Sequence, residues 1–231
     1  FGLDYRAYTN AVIPSTGGTS LIPDITVHPI SVTYNASHRD QEYELSAYLT
    51  WMQNLPGGAE GKQQDFTASR AGATANYQIW RYGLNFSYLL PANWLARASF
   101  AGQYSEDMLV SGEQYGVAGQ DSVRGFLERE LASDKGQRLN LELYSPDFAG
   151  FFSLADWRLQ ALAFHDIGRI QRNRPAASEI ASDTIASAGL GLRLGHGKNF
   201  SMKLDYAVVT QAGGAQHKGD ARLHGSLIWF F

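Results

Sequence analysis

Apolar and polar residues change places at every second position along most of this chain, and no apolar run is long. Leu45, Ala47, Leu49 and Trp51 alternate with Glu44, Ser46, Tyr48 and Thr50. Trp80, Tyr82, Leu84, Phe86 and Tyr88 alternate with Arg81, Gly83, Asn85 and Ser87. The same period runs through residues 1–8, 30–37, 94–103, 138–143, 157–170, 186–194, 200–208 and 222–231. Successive side chains of a strand point to opposite faces, so this pattern predicts about ten two-faced strands and no convincing helix. A spanning helix needs roughly 18 to 20 continuous apolar residues, and none is present. The mean hydropathy of −0.26 excludes a helical membrane protein. It does not exclude a membrane barrel, whose strands hide their hydrophobicity in alternation.

The connections decide between a membrane barrel and a soluble sandwich. Long ones (9–28, 53–75, 105–136, 171–184, 210–220) take turns with short ones (38–42, 90–93, 195–199), and 146–156 is a slightly extended short one. Outer-membrane barrels have this asymmetry, with tight periplasmic turns and long outer loops. Trp51, Tyr88, Trp94, Trp157 and Trp229 fall near strand ends, where interfacial girdles lie. The polar parity carries glycine and charge on strand after strand, which suits a wet lumen. The expectation is therefore an all-β, antiparallel, transmembrane outer-membrane β-barrel of a Gram-negative bacterium. With the long loops outside, the last strand runs inward and ends at Trp229 and Phe231, a C-terminal insertion signal read by the barrel-assembly machinery. Phe1 already stands inside an alternating segment, without Met or a signal-peptide pattern, so the chain reads as a fragment lacking its N-terminal part. A net charge of −3 gives no basic excess, which argues against nucleic acid. The absence of cysteine removes disulfide scaffolds and thiolate chemistry.

One connection is more than a connection. Residues 111–126 carry four glycines (Gly112, Gly116, Gly119, Gly125), enough backbone freedom for a loop that folds back on itself. The stretch 109–126, Leu-Val-Ser-Gly-Glu-Gln-Tyr-Gly-Val-Ala-Gly-Gln-Asp-Ser-Val-Arg-Gly-Phe, resembles the loop of the two-partner-secretion transporters, the TpsB family. Val123-Arg124-Gly125-Phe126 is shared with the wider superfamily, and Gly112-Glu113-Gln114 with Tyr115 tilts the resemblance to the secretion branch. Ala118 stands where glycine is usual. Phe164-His-Asp166-Ile-Gly168 is similar to a strand motif of the same superfamily.

The resemblance implies a barrel of about sixteen strands preceded by a plug helix and POTRA domains, so that residues 1–231 would be the C-terminal part of the barrel wall, with the loop of about 105–136 folding inward. It implies export of a secreted TpsA-type exoprotein in extended form, without ATP. Outer-membrane lipids would surround the wall. Alternatives are an outer-membrane protein insertase of the same superfamily and a diffusion porin. Asp166 shares parity with Arg158 and Gln160 and points into the lumen, where Arg124 of the inward loop would latch onto it. Phe126 and Phe164 would pack beside this latch, and Gly125 and Gly168 would let loop and wall approach. Glu113 and Gln114 would hold the loop to itself or to the wall, with no chemistry assigned to them.

Hydrolase chemistry finds no footing. His165 and Asp166 point to opposite faces, and His224 and Ser226 share a face without a nucleophile motif. Metal-ligand spacing is absent, and neither catalytic residues nor a cofactor is expected.

Overall fold

A computed structural model describes residues 1–9, 23–154 and 156–230. Its strands are β1 (Gly2–Leu3), β2 (Arg6–Tyr8), β3 (Ile25–Val27), β4 (Pro29–Arg39), β5 (Tyr43–Asn54), β6 (Gln78–Leu89) and β7 (Leu95–Tyr104). They continue with β8 (Tyr115–Gly116), β9 (Ala132–Ser133), β10 (Lys135–Tyr144), β11 (Trp157–Gln171), β12 (Ser182–His196), β13 (Phe200–Gln211) and β14 (Ala221–Trp229). Ten of them form one antiparallel sheet in the order β1-β4-β5-β6-β7-β10-β11-β12-β13-β14, and β2–β3 and β8–β9 are separate pairs. Long strands therefore pair with their sequence neighbours throughout, as in an up-and-down barrel wall.

The alternation fixes the two faces. Along β11, Gln160, Leu162, Phe164, Asp166 and Gly168 are buried, while Ala163, His165, Ile167 and Arg169 are exposed. Leu141, Leu143, Leu190, Leu192, Tyr206 and Leu223 share the exposed outer face. That is the distribution of a wall whose outside meets lipid. Aromatic residues bound it at both ends: Trp51 faces Trp80 and Tyr43 faces Tyr88 in the β5–β6 register. From Trp80 to Tyr88, at about 3.4 Å per residue and a tilt of about 40°, the wall covers roughly 20 Å of depth. At the short-turn end Trp157 packs on His196 and Phe200, with ring centroids 4.8 and 5.5 Å apart.

Three local features depart from the alternating pattern. The first alternating segment is not one strand: Gly2–Leu3 joins the edge of the sheet, and Arg6–Tyr8 leaves it to pair with β3, inside what reads as the loop 9–28. The pattern survives the break because Arg6 and Tyr8 point at a buried carboxylate, described below, instead of at a lumen. The 53–75 connection holds a helix, α1 (Gln63–Ser69), where none was expected. Its backbone entry is closed by Asp65, whose carboxylate accepts the Lys62 N–H at 2.8 Å. Within α1 only Phe66 is buried, so its seven residues offer no helical stripe to read. Third, the connection from β10 to β11 contains a 3-10 turn at Ala149–Phe152. Phe66 joins Ile25, Val27, Met52, Tyr77, Ile79, Leu109 and Val110 in a core at the long-loop end of the sheet.

Candidate functional site

Between Tyr104 and Lys135 the chain runs along the inner face of the sheet. Its base is stitched by β8–β9, and its tip is a tight loop in which Gly119 donates to the Val123 carbonyl at 3.1 Å and Ser122 to that of Gly119 at 3.1 Å. Val117, Ala118, Val123, Phe126 and Leu131 of this segment bury themselves against Ile185 and Val209 of the wall. Gly168 makes room for it: a Cβ there would lie 2.9 Å from both Val117 and Val123. Gly125 is needed for a different reason, its φ of +94°, since a Cβ would meet only ordinary contacts at 3.5 Å or more.

Arg124 is where loop and wall meet. Its Nε and Nη2 donate to the two oxygens of Asp166 at 2.7 and 2.8 Å, and its backbone N–H adds a bond to Asp166 Oδ2 at 3.2 Å. Nη1 donates to Glu142 at 2.9 Å and lies 3.7 Å from Asp205. The guanidinium carbon stands 3.5 Å from the centre of the Phe164 ring. Glu142 is on β10 and Asp205 on β13; in a flat sheet these strands would stand about 14 Å apart, at about 4.8 Å per strand. One nitrogen reaches both, so the wall curls around the loop.

Burial alone would weaken the charge on Arg124, but its bonds to Asp166 and the fields of Asp166, Glu142 and Asp205 more than offset it and push its pKa up. Both members of the central pair are shut off from water, with side chains 5% and 0% exposed. A pair so desolvated adds little net stability, but removing one partner typically costs about 3–5 kcal/mol. Neighbouring groups complete the arrangement. Asn140 donates to Asp166 at 2.8 Å and to the Ser122 carbonyl at 2.6 Å. The Gly125 N–H donates to His224 Nε2 at 2.9 Å, tying the loop to β14 as well. Asp205 also takes two bonds from Arg193, at 2.7 and 2.9 Å.

The Gly112-Glu113-Gln114 stretch forms a second anchor. Glu113 is fully buried and accepts bonds from Arg6 at 2.9 Å, Tyr8 at 2.6 Å and Arg81 at 3.5 Å. Its carbonyl accepts Gln103 Nε2 at 3.0 Å. Gly112 is covered by the Tyr8 ring, 2.6 Å from where a Cβ would stand. Gln114 contributes mainly backbone, its carbonyl accepting Arg129 at 3.1 Å. A third anchor, Asp134, has no signal in the sequence. It is fully buried and takes Arg70 Nη2 at 3.0 Å, the Leu109 N–H at 2.8 Å and the Asn173 N–H at 2.8 Å, joining three connections.

Phe164 lies under Arg124, whereas Phe126 belongs to the neighbouring apolar cluster. Trp229 is exposed at the short-turn end, facing Phe200 in the register. Phe231 lies outside the described residues. Beside Arg124 the inner face holds a cavity of about 410 Å³, lined among others by Arg97, Arg138, Arg158, Lys203 and Tyr144.

No curated protein matches the chain. Among solved structures it is similar to CdiB from Escherichia coli, with a TM-score of 0.72 and 19% identity over 89% of this chain and 37% of that one. CdiB from Acinetobacter baumannii gives 0.63 and 16% identity over 90% and 34%. BamA from Haemophilus ducreyi lacking POTRA domains 1-3 gives 0.60 and 17% over 94% and 45%. The chain thus spans 34% to 45% of the length of these structures, and at such identities they speak for the outer-membrane barrel fold alone. The family profile reaches further. That of the haemolysin secretion/activation proteins ShlB/FhaC/HecB matches residues 23–194, which include the whole loop and the strand bearing Asp166 and Gly168. The chain belongs to the haemolysin secretion/activation family.

Proposed function

We propose that this chain is the C-terminal part of the wall of an outer-membrane pore that secretes one partner exoprotein by two-partner secretion. The family is one of transporters and not an enzyme class. The observation that carries the reading is the buried loop, fixed to the inner face through Arg124 on Asp166. A loop so held narrows the lumen and gives it one defined conformation.

The partner is an exoprotein of the adhesin, haemolysin or contact-dependent toxin type, crossing in extended form. Its folding outside would favour net outward movement without ATP. Lumen chemistry suits a passing polypeptide. Glu142 and Asp205 are engaged by Arg124 and Arg193, while Lys203 and Arg158 line open space. Exposed charges bind weakly and with little sequence preference. Insertion into the outer membrane would use the barrel-assembly machinery and the aromatic end of β14.

The test is export. The full-length protein is produced in a reporter strain with the large secreted protein encoded beside it, and that protein is measured in the medium. Wild type should export it, and Arg124→Ala at equal outer-membrane abundance should lose most export. No export with wild type would overturn the reading. Defects in other barrels on depletion would then identify an insertase.

A further inference from the structure

The lipid-facing side of the sheet carries a patch of positive charge at its long-loop end. Lys135 opens β10 and Arg169 lies near the end of β11, both on the outer parity at the long-loop end. Arg169 faces Gln137 and Lys135 faces Gln171, so the two cations are diagonal neighbours on one face. Toward the middle of the wall the same face is apolar at Leu139, Leu141 and Ile167. Lys135 Nζ sits 4.6 Å from the centre of the Tyr104 ring. Arg172 and Arg174 stand just beyond the strand end, beside a hollow of about 480 Å³ that Lys135 and Arg169 also line.

The local charge is unbalanced. Arg172 is engaged by Glu179 at 2.9 Å. Among the described residues, Lys135, Arg169 and Arg174 have no ion pair. Among the described residues, the one carboxylate lining the hollow is Glu106, which accepts the Tyr104 hydroxyl at 2.9 Å. Cations are disfavoured at the membrane midplane and tolerated near the interface, where aromatic residues gather. A cluster at this height, above an apolar face and beside a tyrosine, meets headgroups. Arginine and lysine bind phosphate strongly, and the exposed amides of Gln137 and Gln171 suit sugar hydroxyls.

We infer that this patch binds the phosphates of the phosphorylated glycolipid that forms the outer leaflet of the outer membrane. The inference rests on the membrane-pore reading, because it takes the long-loop end as the outward one. The bound lipid would fix the height of the wall just where the 105–134 and 172–181 connections emerge.

The experiment uses the full-length protein in mild detergent, titrated with bisphosphorylated lipid A, dephosphorylated lipid A and phosphatidylglycerol, with bound lipid counted by native mass spectrometry. Wild type should bind the bisphosphorylated form best. Lys135→Gln with Arg169→Gln should bind it roughly 20-fold more weakly. Lys198→Gln, in a turn at the other end of the wall, should bind like wild type. Equal binding of all three lipids by wild type would overturn the inference without reference to any variant. So would undiminished binding by a heat-modifiable double variant, or an equal loss in Lys198→Gln. Export measured on the same proteins separates the two readings: export without selective lipid binding removes only the lipid site, and selective binding without export removes only the transporter.

Discussion

At the scale of single residues, the site depends on places where a side chain is missing as much as on charges. Gly168 lies two residues beyond Asp166 on the same inward parity, and Val117 and Val123 of the loop press on it. A larger residue there would lift the loop off the wall without touching a charge. Gly168→Val should therefore expose the loop tip, raising the rate at which a cysteine placed at Ser122 reacts with a water-soluble maleimide by about tenfold or more. Val117→Ala and Val123→Ala in the same protein should bring the rate back down. An unchanged rate in Gly168→Val would mean that the loop is held by charge alone. Arg124 has no such substitute: with three carboxylates around it, lysine keeps the charge and loses the two-pronged bond to Asp166.

Elements show which parts of this arrangement can be read from a sequence. Faces of long strands follow from alternation, because a strand buried on one side leaves a period of two. The contact between Arg124 and Asp166 can be anticipated from loop and strand motifs together with parity, whereas its role as a latch is part of the proposal. Glu113 stood out as a residue, but its role did not, since Arg6 is 107 residues away and nothing local ties them. Asp134 carried no signal at all; its partners come from three separate connections that meet only in the folded chain. Helix α1 escaped for a related reason, being held by one buried phenylalanine and by tertiary packing. The β2–β3 pair is the element most dependent on Glu113. Glu113→Gln keeps the shape and removes the charge facing Arg6 and Tyr8. Hydrogen exchange at Arg6–Tyr8 should quicken about tenfold or more in that variant. Equal protection in both proteins would show that β3 alone holds this strand.

The molecule as a whole is a curled wall closed on the inside by its own loop. Three buried carboxylates, Glu113, Asp134 and Asp166, hold that loop at its start, its end and its tip. The apolar core of Phe66, Tyr77 and Leu109 packs the long-loop end above it. The proposed pore should conduct little until the loop moves. The most direct test is the current through the full-length protein in a planar lipid bilayer, comparing wild type with a variant in which residues 112–133 are replaced by a short Gly-Ser linker. A loop-plugged pore should give small, intermittent currents for wild type and a steady conductance several times larger for the loop-less variant, at equal protein insertion. A steady wild-type conductance equal to that of the variant would contradict it and describe an open diffusion porin.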